Sequence, residues 1–161
     1  MFLKANNMLS TLIFLHSLIR WFVLGTLLYS IYRAYRGYSH SLTFKNTDDV
    51  WRHWTATTTH IQLILGILLY SKSETVKAFV SGLGSRDRIT EPMFFGIIHI
   101  AFMLSAIVLV TIGSAMAKRK TIDKDKFKTL LIWFGAALLL ILIAIPWPFS
   151  PLTHRPYLRP F

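Results

Sequence analysis

The chain has 161 residues, of which 53% are hydrophobic, with a mean hydropathy of +0.48 and a formal net charge of +11. That length fits a single domain spanning 1–161, and that hydropathy excludes an ordinary soluble one. There is no cysteine, which excludes iron–sulfur clusters, thiolate metal sites, disulfides and thioether-linked haem.

Four apolar runs follow in chain order, at about 8–32, 54–71, 93–113 and 129–147. Each is close to the ~20 residues that cross a bilayer as a helix. All seven acidic residues (Asp48, Asp49, Glu74, Asp87, Glu91, Asp123 and Asp125) fall between these runs. Backbone polar groups cannot stay unpaired in lipid, so the fold expected is all-α, an integral membrane four-helix bundle running up-down-up-down. The first run is too long for a signal peptide and has no A-x-A-like cleavage site before the next loop, so it reads as a retained helix.

The loop after the first run carries Arg33, Arg36, Lys45 and Arg52. The loop after the third carries Lys118, Arg119, Lys120, Lys124, Lys126 and Lys128. Against these ten, the other side has seven: Lys4, Lys72, Lys77, Arg86, Arg88, Arg155 and Arg159. The asymmetry places both termini outside and the two basic loops in the cytoplasm. Basic clusters at helix ends suit anionic lipid headgroups, and with four spans they argue against a nucleic-acid partner.

Between the second and third runs, Val76, Phe79, Val80 and Leu83 recur at the spacing of an amphipathic helix lying on the outer surface. Ser73 makes no capping box there. The following "GLGSRDR" follows no strand and is no phosphate loop. After the last run, the proline-rich tail 146–161 stops the helix and leaves an extended segment with aromatic anchors.

The informative residues are the polar ones inside the spans. "FLHSLIRW", residues 14–21, sets His16 and Arg20 four apart, on one face of a helix. His60 and His99 lie in the second and third runs. Intramembrane ionisable residues are rare and face the bundle interior or a cavity. At a rise of ~1.5 Å per residue, His16 and His99 are both about 10 Å below the outer surface, with His60 roughly one turn deeper. The first and third helices sit on a diagonal of such a bundle. Two level imidazoles on a diagonal can therefore close on a planar macrocycle, the geometry of one non-covalent bis-histidine haem b. His16 and His99 are the expected iron ligands, with His60 the alternative. Gly96, three residues before His99 on the same face, either admits the flat ring or serves close helix packing.

Arg20 costs ~2.5–3.5 kcal/mol in mid-membrane on the insertion scale. A haem propionate, backbone carbonyls, a quinone oxygen or a carboxylate of a partner subunit would compensate it. "TATTTHIQ", residues 55–62, gives the second helix a polar stripe that either lines a proton path or quinone pocket or bonds its own backbone. A zinc hydrolase is disfavoured, because the histidines are dispersed and H-E-x-x-H is absent.

The pieces "HSLIRWFVL", "HIQLILGILLY", "FFGIIHIAFMLSAIVLVTIG" and "LLLILIAIPWPF" cover about half the chain. In that order and spacing the chain resembles small bacterial four-helix membrane proteins of the cytochrome b or cytochrome-b-like kind. The resemblance implies haem b and electron transfer in the bacterial inner membrane, with His16, Arg20, His60 and His99 as the residues concerned. Such proteins tend to carry Glu-His-Pro in the third helix, where this chain has Ile98-His99-Ile100. With no soluble redox domain, the expected role is that of a small subunit of a larger respiratory assembly, with a quinone near Trp147 and Phe149 as a further ligand. The competing reading is a non-redox structural or assembly subunit whose intramembrane His and Arg contact a neighbouring chain or lipid. A proton-linked transporter is disfavoured by the absence of acids in the spans.

Overall fold

In a computed structural model, residues 2–82 and 90–149 are described, with side chains from residue 8 onward. Leu83, most of "GLGSRDR" and the tail beyond Phe149 lie outside the described residues. The described residues are helical throughout, with no strand: α1 Phe2–Ser39, α2 Asn46–Lys72, α3 Glu74–Val80, α4 Glu91–Arg119 and α5 Asp123–Ala144. Three of them, α1 from Met8, α4 and α5, are long and apolar enough to cross a membrane. The fourth expected span falls inside α2, whose threonines, His60 and Gln62 make it the most polar of the long helices.

The helices are longer than the apolar runs, because local chemistry carries them past the bilayer pattern. α1 continues through "IYRAYRGYS", where Arg33 and Arg36 each lie over a tyrosine ring one turn back. It stops where Ser41 takes a left-handed φ of 48°. The loop expected over 33–53 shrinks accordingly to 40–45. α2 starts at Asn46, and Asp48 in its first turn accepts the Lys45 backbone N–H at 2.9 Å. α5 ends where Ile145 precedes Pro146, since a pre-proline residue is pushed to extended backbone. The surface helix expected after Lys72 is α3, and its cap is the Ser73 hydroxyl, which accepts from Val76 N–H at 3.4 Å.

α1 packs antiparallel against α2 and α5, and α4 does the same against them from the far side. α1 and α4 therefore face each other across a diagonal. Leu27, Val110, Phe134 and Ala137 are solvent-free in the core. Outward faces carry large apolar side chains such as Leu28, Ile64, Val108 and Leu139. An apolar exterior of this kind points to a lipid bilayer as the environment.

Charge is concentrated at the end where the short loops 40–45 and 120–122 lie. Arg33 Nε meets Asp48 at 2.7 Å, and Asp48 is only 5% exposed. Arg52, 6% exposed, pairs with Asp49 at 2.8 Å and donates to Ser114 Oγ on α4 at 2.6 Å. These bonds tie α1 to α2 and α2 to α4. Higher in the α1–α2 seam, Ser30 and Thr55 hydroxyls lie 2.7 Å apart and those of Thr26 and Thr58 3.1 Å apart.

Candidate functional site

The half of the molecule away from the short loops holds a cavity of about 380 Å³, to which all five helices contribute. It is within the range of roughly 300–1,000 Å³ typical of small-molecule and cofactor sites. Its walls are mainly apolar, from Leu9, Ile13, Val23, Ile100, Met103 and Ile141, among others. Polar groups converge on it from three helices: His16, Ser17 and Arg20 on α1, Thr59 and Gln62 on α2, and His99 on α4. The start of α3 closes one side, through Ser73, Glu74, Thr75 and Val76.

His16 and His99 face one another there, with ring centroids 6.5 Å apart and planes at 65°. They come from the two diagonal helices. Their supports differ. On α4, the turn Phe94–Ile98 is a π-helical one, closed by His99 N–H to the Phe94 carbonyl. Such a widened turn re-aims the side chains that follow it. Phe94 is driven into the core with no exposure, and both Phe94 and Phe95 lean on the His99 ring at 5.9 and 5.8 Å. His99 Nδ1 lies 2.8 Å from the carbonyl oxygen of Ala144. That oxygen can only accept, so His99 carries its proton on Nδ1 and presents Nε2 as a lone pair. His16 is set against α2 beside Gly66, where an added Cβ would lie 3.5 Å from His16 Cε1. Its Nδ1 is buried without a hydrogen-bond partner.

Arg20 lines the same cavity one turn along α1, its guanidinium 5.6 Å from the Trp21 ring centre. Gln62 donates from Nε2 to the His16 backbone carbonyl at 3.0 Å, and its Oε1 is buried with no partner.

Two expected site residues are placed elsewhere. His60 points away from the cavity, on the exposed outer face, where Nε2 sits 3.0 Å from the Thr111 hydroxyl. Thr111 is twelve residues beyond His99 on α4, so the displacement of His60 is greater than the single turn its sequence position implies. Gly96 does not border the cavity. The Phe79 ring of α3 lies directly on it, and its carbonyl accepts from the Tyr70 hydroxyl at 2.9 Å. Of its two readings, close packing is the one the geometry realises: any side chain at Gly96 would displace Phe79 and with it α3.

The polar stripe of α2 divides in the same manner. Thr58 and Thr59 donate to carbonyls of their own helix, and only Thr59 and Gln62 of the stripe reach the cavity. Trp147 and Phe149 stack on each other at 5.8 Å, beside Trp21 and outside the cavity.

Ser17 and Gly66 belong to the site but were not expected from sequence. Gly66 could have been found as the one gap on α2 wide enough for an imidazole on α1, once the pairing register of the two helices is known.

No family model, curated protein or solved structure matches this chain. Among the described residues there is no group of three or more His, Cys, Asp or Glu arranged to hold a metal ion. The donor set is instead a pair of imidazoles. A metal–imidazole bond of about 2 Å, with about 1 Å more to the ring centre, puts two trans imidazole centroids roughly 6 Å apart. The observed 6.5 Å is a spacing at which both imidazoles could bind one metal ion. Rings trans to each other rotate freely about their common axis, so an interplanar angle of 65° is compatible with that role.

Proposed function

We propose that this chain is a b-type haem protein of the bacterial inner membrane that takes part in electron transfer as a small subunit of a respiratory assembly. The observation that carries the proposal is the pair His16 and His99, 6.5 Å apart across a cavity between diagonal helices. The reading has α2 as a fourth span beside α1, α4 and α5, in an up-down-up-down bundle with both termini on the periplasmic side. The basic residues at the short-loop end support that orientation. The resemblance to small cytochrome-b-like proteins supports the same cofactor.

Haem b bound here supplies a one-electron couple, cycling between ferric and ferrous iron. His16 and His99 would be the residues that hold the iron. The Ala144 carbonyl fixes the tautomer of His99, leaving Nε2 to bind. Arg20 offers a planar cationic fork to a propionate, which is better stabilised there than in a wall of leucines. The apolar walls exclude water from the cavity and would favour the less charged state of a redox group held there. A quinone as electron partner rests on the resemblance alone.

The test is the absorption spectrum of detergent-purified protein, supplied with haem during expression. A reduced spectrum of low-spin, six-coordinate b type is expected, lost in both His16→Ala and His99→Ala and kept in His60→Ala. A colourless wild-type preparation that stays folded and takes up no added haem would overturn the proposal.

The exposed His60–Thr111 pair favours one element of the second reading. Two polar side chains facing outward from a membrane helix are stabilised when a neighbouring chain covers them. This fits a subunit that docks through the α2–α4 face, with or without haem.

A further inference from the structure

The two histidines of the cavity are unequally supported, and the inequality points to one more residue. His99 has a fixed acceptor for its Nδ1–H, the Ala144 carbonyl at 2.8 Å. His16 Nδ1 has none, yet it is buried, and on the facing helix Gln62 Oε1 is a buried acceptor that also lacks a partner. Both orphan atoms lie in the α1–α2 seam. Gln62 already grips His16 through its Nε2, which donates to the His16 backbone carbonyl at 3.0 Å. Gly66, one turn further along α2, lets the Nδ1–Cε1 edge of the ring come against that helix. A buried donor and a buried acceptor left unmade each cost about 1–3 kcal/mol, and pairing them removes both penalties at once.

We infer that Gln62 is the positioning residue for His16: its side-chain oxygen accepts the His16 Nδ1–H and so turns the Nε2 lone pair into the cavity. The inference deepens the haem reading and rests on it for its consequence, though not for its geometry. Gln62 would do for His16 what the Ala144 carbonyl does for His99. An acceptor on the far nitrogen raises the basicity of a ligating imidazole and fixes its orientation. The Gln62 amide is already anchored on the His16 backbone oxygen through Nε2, so a turn of its free oxygen onto the ring nitrogen would hold the ring against rotation.

The experiment has two readouts on the same variants, Gln62→Leu, Gln62→Asn and Gln62→Glu. The first needs no cofactor. Ring ¹⁵N chemical shifts of His16 in the haem-free protein in detergent report which nitrogen carries the proton. Wild type and Gln62→Glu are expected to show Nδ1–H, since either side chain offers an oxygen at that reach. Gln62→Leu and the shorter Gln62→Asn are expected to lose that preference. Asparagine keeps an amide in the seam, so it serves if leucine fails to fold. An unchanged His16 tautomer in both Gln62→Leu and Gln62→Asn would overturn the inference, whatever the cofactor.

The second readout is haem affinity and midpoint potential. Gln62→Leu and Gln62→Asn are expected to bind haem 10–100-fold more weakly and to have a raised potential, because a less basic imidazole stabilises ferric iron less. Gln62→Glu is expected not to rise above wild type. Affinity and potential at wild-type values in both substituted forms would overturn it. Failure of the wild type to bind haem would remove the haem reading and leave the tautomer measurement to decide Gln62 alone.

Discussion

Replacing either cavity histidine by alanine removes the same ring, but the two losses differ in the haem-free protein. His99→Ala takes the donor from the Ala144 carbonyl, which is bonded at 2.8 Å and belongs to a residue only 1% exposed. Helix α5 has ended there, so no backbone N–H one turn on can replace the lost donor. A buried carbonyl left without a partner costs about 1–3 kcal/mol. His16→Ala frees at most the Gln62 side-chain oxygen, the acceptor inferred above, which sits on a rotatable amide that can turn to another partner, whereas the Ala144 carbonyl is fixed in the backbone. His99→Ala also removes a ring packed on Phe94 and Phe95, so the haem-free His99→Ala protein should be less stable than His16→Ala by about 1–3 kcal/mol or more, at least one to two orders of magnitude in the unfolding equilibrium. The assay is unfolding of the two purified variants in mixed micelles by SDS titration, followed by far-ultraviolet circular dichroism. Equal stabilities, or a less stable His16→Ala, would refute the account of His99 as the anchored ligand. With haem present the asymmetry should vanish from the spectrum, since loss of either imidazole opens one axial position.

Arg20→Leu removes a membrane cation that costs ~2.5–3.5 kcal/mol, so the haem-free protein should insert as well as wild type or better while its haem affinity falls; Arg20→Lys should keep haem with a weaker hold. Full haem occupancy in Arg20→Leu, measured by pyridine haemochrome, would sink the propionate role. A reporter fused after Phe161 should be active only outside the cytoplasm, and cytoplasmic activity would reverse the orientation. Ser114→Ala leaves the buried Arg52 guanidinium short of its 2.6 Å acceptor, so stability should fall by about 1.5–3 kcal/mol, read from the same SDS titration. Asp49 titrates below its ordinary value of 3.8 because Arg52 hydrogen-bonds its carboxylate. A depressed acid contributes stability above its unfolded pKa and loses it as the carboxylate protonates, so wild type should weaken as pH falls below about 3.8. Asp49→Asn should show a shallower decline, and an equally steep one would exclude this pair as a source. The carboxylate is nearly half exposed, so solvent screening keeps its contribution under about 1 kcal/mol.

The sequence by itself determined the all-helical class and the apolar, membrane-suited character of the long helices. These follow from one-dimensional quantities: the length of an apolar run against the thickness of a bilayer, and the axial rise of a helix. The helix–proline boundary after Ile145 is also local, and for that reason legible. Counting along the apolar runs put His16 and His99 at one level, and the structure brings their rings to 6.5 Å. That count said nothing about azimuth, and there the other expectations departed. His60 shares a stripe with Gln62 in sequence, yet two residues turn a helix by about 200°, so Gln62 enters the cavity while His60 faces outward to Thr111. The π turn before His99 adds to that uncertainty, since one widened turn rotates every side chain that follows. Gly96 was legible as a gap, but which group fills it depends on where α3 folds back, and α3 lays Phe79 there. The charges of the short-loop end were readable as a basic cluster, but not as bonds. Only the antiparallel packing of α2 on α4 brings Arg52 to Ser114, 62 positions away. Tertiary structure decided which polar groups share a cavity, because that is a matter of helix rotation and register, and both are set by side-chain packing between elements distant in the chain.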